Sequence, residues 1–155
     1  MHGNEAILET LNSLLSDELS AINQYMVHAE MCDNWNYDGL HDTIEERAIA
    51  EMRHAEHLVE RILFLEGRPI VSHLHDIKIG PDIEKQLAND LESELAAVAA
   101  YNAAVRLALG NGDNGTRELL ESILTEEEAH VDWIEAQLDQ IAQMGIQNYL
   151  AAQAA

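Results

Sequence analysis

Apolar residues recur at intervals of three and four along most of the chain, the spacing that lines one face of a helix. The first stripe runs through Leu8, Leu11, Leu15, Ile22 and Tyr25. Asn4 stands ahead of it as an N-cap and the turn Asp33-Asn34-Trp35-Asn36-Tyr37-Asp38 follows it, which predicts a helix over 4–34. The second stripe, Ile44, Ala48, Ala55, Leu58, Ile62 and Leu65, predicts a helix over 39–66 with Gly67 as its C-terminal cap and Pro69 just beyond. Residues 67–80 are too polar and too punctuated for a helix. Gly80-Pro81-Asp82 then opens a third helix over 81–110, Pro81 suiting the first helical position. The cluster Gly110-Asn111-Gly112-Asp113-Asn114-Gly115 ends it, a fourth helix covers 114–144, and Gly145 sets off a short tail helix over 146–153.

The turns after the first and third helices are short, so each pair forms an antiparallel hairpin. The connection between the hairpins, extended at about 3.3 Å per residue, spans on the order of 45 Å, enough to run the length of a helix. The expected fold is all-α: one domain over 1–155, an antiparallel four-helix bundle with a long crossover between helices two and three and a short fifth helix.

Composition agrees, with 2 Pro, 8 Gly, 5 % aromatic residues and no alternating β-branched run. No N-terminal stretch reads as a signal peptide and no apolar run reaches membrane-spanning length, so the expected location is cytoplasmic with no membrane partner. The single Cys32 excludes an internal disulfide and a thiolate cluster within the chain, and reads as a packed thiol. A formal charge of −21 with only 8 Lys and Arg argues against nucleic acid as a partner and for cations.

Six residues interrupt the apolar stripes with metal-binding chemistry. Glu51-x-x-His54 and Glu127-x-x-His130 each place a carboxylate and an imidazole on one helix face, and a lone glutamate precedes each motif by 33 residues, Glu18 and Glu94. The two triplets repeat at 76 residues, and every member falls at mid-height of its predicted helix. Four carboxylates meeting in one core would be costly to ionise without compensating cations, whereas two divalent metals bring four positive charges to them. The bland alternative is a set of polar residues on a wet seam between helices. One Glu from each of two helices and Glu-x-x-His from the other two is the ligand pattern of ferritin-like di-iron and di-manganese bundles. Mixed carboxylate and imidazole ligation suits Fe(II), Mn(II) or Zn.

The chain resembles the bacterioferritin family over essentially its whole length. The resemblance rests on Glu18 with Asn23-Gln24-Tyr25, Glu51-Met52-x-His54-Ala55, Glu60 through Gly67, Glu94, Glu127-x-x-His130-x-Asp132-Trp133, and Met144-Gly145-x-Gln147-Asn148-Tyr149-Leu150. It implies iron storage and detoxification, with a ferroxidase di-iron centre in each subunit, Glu51 and Glu127 bridging, and Glu18 and Glu94 terminal. It also implies dioxygen or hydrogen peroxide as oxidant, a homo-oligomeric cage of 24 subunits with a ferric mineral inside, and a ferredoxin-type reductant. Haem b or a related iron porphyrin would sit at twofold interfaces. Met52 lies about 100° off the ligand face; its spacing alone reads as interface packing, with Ala48, Ile49, Ala55 and Val59 forming a second apolar strip matched on the first helix by Leu19, Ile22 and Met26. The resemblance instead implies a haem axial ligand there.

Ala50 and Glu46 replace an aspartate and a histidine that the family often uses for inner-surface iron, and Leu58 stands where a tyrosine is common. Metal-bound histidines need an acceptor behind the ring. Glu126 is expected to serve His54; Ala50 cannot serve His130, and Asp90 is the expected substitute. Tyr25 and Trp133 are candidates for single-electron donation or for simple packing, and His73 and His75 for exposed loop residues. Two other functions are compatible with these residues: a non-storage di-iron oxidase or peroxidase, and a passive metal-buffering shell.

Overall fold

The computed structural model describes residues 1–154. Five helices follow in order: α1 (Glu5–Asn34), α2 (Asp38–Phe64), α3 (Ile83–Gly110), α4 (Asn114–Met144) and α5 (Ile146–Gln153). The all-α expectation holds. α1 packs along α2 and α3 along α4 as hairpins, α1 also lies against α3, and α5 folds back on α4 and α2.

Helix ends differ from the sequence expectation at two places, each for a local reason. α2 stops at Phe64 because Glu66 turns into the left-handed region at φ 61°. The amides of Glu66 and Gly67 then bond back to the carbonyls of Leu63 and Ile62, a Schellman motif whose left-handed residue is a glutamate where glycine was expected. Gly67 lets Leu8 and Ile62 pack closely instead, since a Cβ there would come within 2.5 Å of Leu8 Cδ2 and 3.0 Å of Ile62 Cγ2 and those side chains would have to shift. α3 begins two residues late because the Asp82 side chain takes the cap position, accepting from the Lys85 N–H at 2.8 Å and leaving Pro81 outside the helix. The same Schellman closure ends α1 at Asn36 and α3 at Gly112, with φ 61° and 68°.

Two apolar clusters fill the bundle on either side of mid-height. One joins Leu11, Leu15, Leu58, Ile62, Leu120 and Ile123; the other joins Cys32, Leu40, Ile44, Leu87, Ile134 and Tyr149. Tyr149 secures α5 by donating its hydroxyl proton to Gln137 Oε1 at 2.7 Å.

Residues 65–82 carry the chain back along α1, and their contacts are more regular than their sequence suggests. Asn12 donates to the Arg68 carbonyl and accepts from the Ile70 N–H, at 3.1 and 2.8 Å. One turn on, Ser16 donates to the His73 carbonyl at 2.8 Å, and Ser20 accepts from the His75 N–H at 3.0 Å. Further down, Gln24 accepts from the Lys78 N–H at 3.1 Å and His28 Nε2 from the Gly80 N–H at 3.0 Å. Residues 12, 16, 20, 24 and 28 thus form a rail of side chains one turn apart, covering about 24 Å at about 1.5 Å per residue. An extended segment has no backbone partners of its own, and this rail supplies them.

Candidate metal centre

Between the two apolar clusters the bundle turns acidic. Glu18, Glu51, His54, Glu94, Glu127 and His130 are all buried at mid-height, one or two from each long helix. Their ligand atoms form two groups of four, Glu18–Glu51–His54–Glu127 and Glu51–Glu94–Glu127–His130, each within 4.8 Å. All six residues expected from the sequence meet, and Glu51 and Glu127 belong to both groups.

The imidazoles present Nδ1 to this cluster. His54 Nδ1 lies 2.9 Å from Glu127, 3.4 Å from Glu51 and 3.6 Å from Glu18; His130 Nδ1 lies 3.1 Å from Glu51, 3.3 Å from Glu94 and 3.7 Å from Glu127. One oxygen of each of Glu18, Glu51, Glu94 and Glu127, and Nδ1 of His54, is buried without a hydrogen-bond partner. Once deprotonated, these five atoms offer lone pairs that a cation would satisfy, because buried polar atoms are otherwise almost always paired.

Electrostatics point the same way. Burial, and then the neighbouring Glu18, push the Glu51 carboxyl well above the ordinary carboxylate range; burial and Glu127 do the same to Glu94. Burial pulls the His54 imidazole down, but Glu127, Glu18 and Glu51 outweigh it and hold the ring's pKa far up. Glu127 resists its own burial and is held low by bonds from Glu94 and His54. These opposed shifts favour protons held within the cluster when no cation is present, and a divalent cation would bind by displacing them.

Each lone glutamate is anchored by a tyrosine from the opposite helix. Tyr101 on α3 donates to Glu18 on α1 at 2.6 Å, and Tyr25 on α1 donates to Glu94 on α3. The sequence alone leaves Tyr25 between electron donation and packing; the hydrogen bonds give it and Tyr101 an anchoring role. The signal was available: each tyrosine follows its helix's glutamate by seven residues, inside the same repeat.

The outer ring nitrogen of His54 meets the Glu126 carboxylate, as the sequence suggested. The expected partner of His130 is a correction. Asp90 Oδ1 accepts instead from Gln24 at 2.8 Å and from His28 Nδ1 at 2.9 Å, and all three side chains are buried. Because His28 Nε2 accepts from Gly80, its proton sits on Nδ1 and the ring is neutral. His73 and His75 are exposed, although His75 also pairs with Asp17. Trp133 is half-buried with the Arg47 guanidinium 5.7 Å from its ring centre.

A cavity of about 220 Å³ leads from the crossover to the cluster. Asp17, Asp76, Glu92, Glu18, Glu51, Glu94 and Glu127 are among the residues lining it, and its one lysine, Lys78, is paired with Glu92 at 2.7 Å, so acidic groups dominate the route.

A four-helix bundle with this ligand arrangement has recognisable relatives. The family model of the ferritin-like domain matches residues 8–144. A bacterioferritin of Mycolicibacterium paratuberculosis is 36 % identical, over 97 % of this chain and 95 % of its own. The chain belongs to the bacterioferritin family. A bacterioferritin of Brucella melitensis is also 36 % identical, over 96 % of this chain and 92 % of its own. A bacterial ferritin of Synechocystis sp. shares 38 % identity across 99 % of both chains. Family membership and bundle agree with the sequence reading. Among the described residues no helix is long and apolar enough to cross a membrane.

Proposed function

We propose that this chain is a cytoplasmic iron-storage protein whose metal centre is a ferroxidase. The carrying observation is the pair of four-ligand groups sharing Glu51 and Glu127, with one orphaned oxygen from every carboxylate. Two Fe(II) ions are the substrate, one per group. Each yields one electron, and dioxygen takes the two electrons with two protons to leave hydrogen peroxide, which can itself oxidise a further Fe(II) pair. Four carboxylates favour the ferric product, since hard anionic oxygen stabilises the higher charge. Glu51 and Glu127 hold both ions, Glu18 with His54 and Glu94 with His130 complete the two sides, and the tyrosines keep the terminal glutamates aimed.

Fe(III) passes into the cavity of a homo-oligomeric shell of 24 subunits, a number that rests on the family resemblance, as does a ferredoxin-type reductant for release. Haem, on this reading, belongs at Met52. Met52 is 47 % exposed on the side of α2 away from Glu51 and His54, and the hairpin leaves Met26 and Ile49 exposed as well. The Met52 thioether, set within an apolar surface, would hold the haem iron, and haem there would supply an electron relay for reducing stored Fe(III).

Aerobic Fe(II) titration tests the reading. Rapid oxidation with retention of far more than two iron ions per chain is expected, and Glu18→Ala, Glu94→Ala or His130→Ala abolishes the rapid phase with the shell still assembled. Catalytic peroxide consumption without retention would make the protein a di-iron peroxidase, and no oxidation would make it a passive buffer. Met52→Leu keeps volume and assembly and loses the haem absorption band; a wild-type band in that variant removes Met52 from the haem site.

A further inference from the structure

The 76-residue repeat relates the two sides of the centre residue by residue: Glu18 to Glu94, Glu51 to Glu127, His54 to His130 and Tyr25 to Tyr101. The structure keeps that symmetry in the ligand groups and in the reciprocal tyrosine bonds. It breaks behind the histidines. The outer nitrogen of His54 meets Glu126, while the position 76 residues before Glu126 is Ala50, whose methyl group accepts nothing. Among the described residues, every carboxylate within 4.0 Å of His130 faces Nδ1, and none faces Nε2. Asp90 adds a buried charge on that side of the bundle, but it is engaged with Gln24 and His28.

The difference has a chemical meaning. An imidazole that gives its outer proton to a carboxylate is fixed in tautomer and ring angle, with the inner lone pair aimed at the metal and made more basic. His54 has that support and His130 lacks it. Glu126 is 60 % exposed, so water screens its through-space charge and it acts mainly by aligning the ring.

We infer that Glu126 is a positioning residue that makes the two metal subsites unequal, the Glu18–Glu51–His54–Glu127 side filling first and tightly and the Glu51–Glu94–Glu127–His130 side filling second and exchanging readily. The inference rests on the two-metal reading above. One ion then stays as an anchor while the other side turns over, and the same Ala50 that departs from the family pattern creates the difference.

The test is an anaerobic titration of metal-free, assembled protein with Co(II), followed by visible d–d absorption per chain. Two Co(II) bind in separable steps. Glu126→Ala weakens the first step by about tenfold or more, the range found for partners behind metal-bound histidines. Ala50→Glu, which copies Glu126 onto the other half, tightens the second step by about tenfold. Two equal steps in the wild type, or a first step unmoved by Glu126→Ala, would overturn the inference while leaving the two-metal centre standing. An Ala50→Glu protein with native circular dichroism and an unchanged second step would also overturn it. Loss of the centre itself looks different: Co(II) uptake would then be absent, or unaffected by Glu18→Ala and Glu94→Ala.

Discussion

α1 and α3 carry the same glutamate and tyrosine at the same spacing, yet one stripe differs along its whole length. On α1 it reads Asn12, Ser16, Ser20, Gln24, His28 and Cys32; 76 positions later on α3 it reads Ala88, Glu92, Ala96, Ala100, Ala104 and Ala108. The first five α1 residues hold the crossover, and among the described residues no extended segment returns along α3, which leads directly into α4. Buried Ala104 and Ala108 give α3 plain packing surface in the same places. A duplicated helix was thus specialised by what lies over it, while its metal-facing side stayed constant.

The largest effect is expected where the α1 stripe meets its one buried charge. Asp90→Ala strands the His28 and Gln24 donors, each at about 1–3 kcal/mol, so the metal-free chain should lose about 3 kcal/mol or more in urea unfolding. A loss under about 0.5 kcal/mol, as at an ordinary surface position, would show that the polar stripe is idle. Giving α1 the α3 pattern, with Gln24→Ala, His28→Ala and Asp90→Leu together, should cost less than Asp90→Ala alone, because the partners leave as a set. Its signature is faster hydrogen exchange at the Lys78 and Gly80 amides, which lose their acceptors.

Cys32 gives a smaller and pH-dependent contrast. Burial, followed by the charge of Asp90, pushes its thiol up to about 12, and burial with Cys32 nearby raises the Tyr149 hydroxyl to about 12. Both groups stay protonated in the folded chain after the unfolded chain has begun to release their protons. Their stabilising contribution is complete below about pH 9 and falls as pH rises towards 12, by at most about 1.4 kcal/mol per pH unit for each group. Cys32→Ala, the residue α3 carries at Ala108, should flatten the decline measured by urea midpoints between about pH 8 and 11. Least of all, Ala88→Asn writes the first letter of the rail onto exposed α3 and should change stability by no more than about 0.5 kcal/mol.

Hydrophobic spacing made the helices legible, and carboxylates set within apolar stripes made the ligands legible, because both patterns are local and were written twice. The rail was not legible by that route. Asn, Ser and Gln at one-turn intervals resemble a solvated face, and their partners lie in a segment with no periodicity of its own. Asp90 was assigned to His130 from its place one turn before Glu94, whereas Gln24 and His28, more than sixty residues away in sequence, claim its carboxylate. The end of α2 was misplaced by two residues because a glycine in the vicinity suggested left-handed backbone that Glu66 adopts instead.

The crossed tyrosine bonds reach beyond the aim of two side chains. Tyr25 and Glu18 are seven residues apart on α1, and Tyr101 and Glu94 seven apart on α3, so the helices are fastened at two points roughly 10 Å apart along their axes. Two fastenings fix register as well as tilt: sliding one helix past the other strains both bonds. On the two-metal reading the crossed bonds would hold the outline of the centre whether or not ions fill it, so an entering ion would meet a mould already set. Loading and discharge, on that reading, would leave the helices in place and put the work on protons and metal ions.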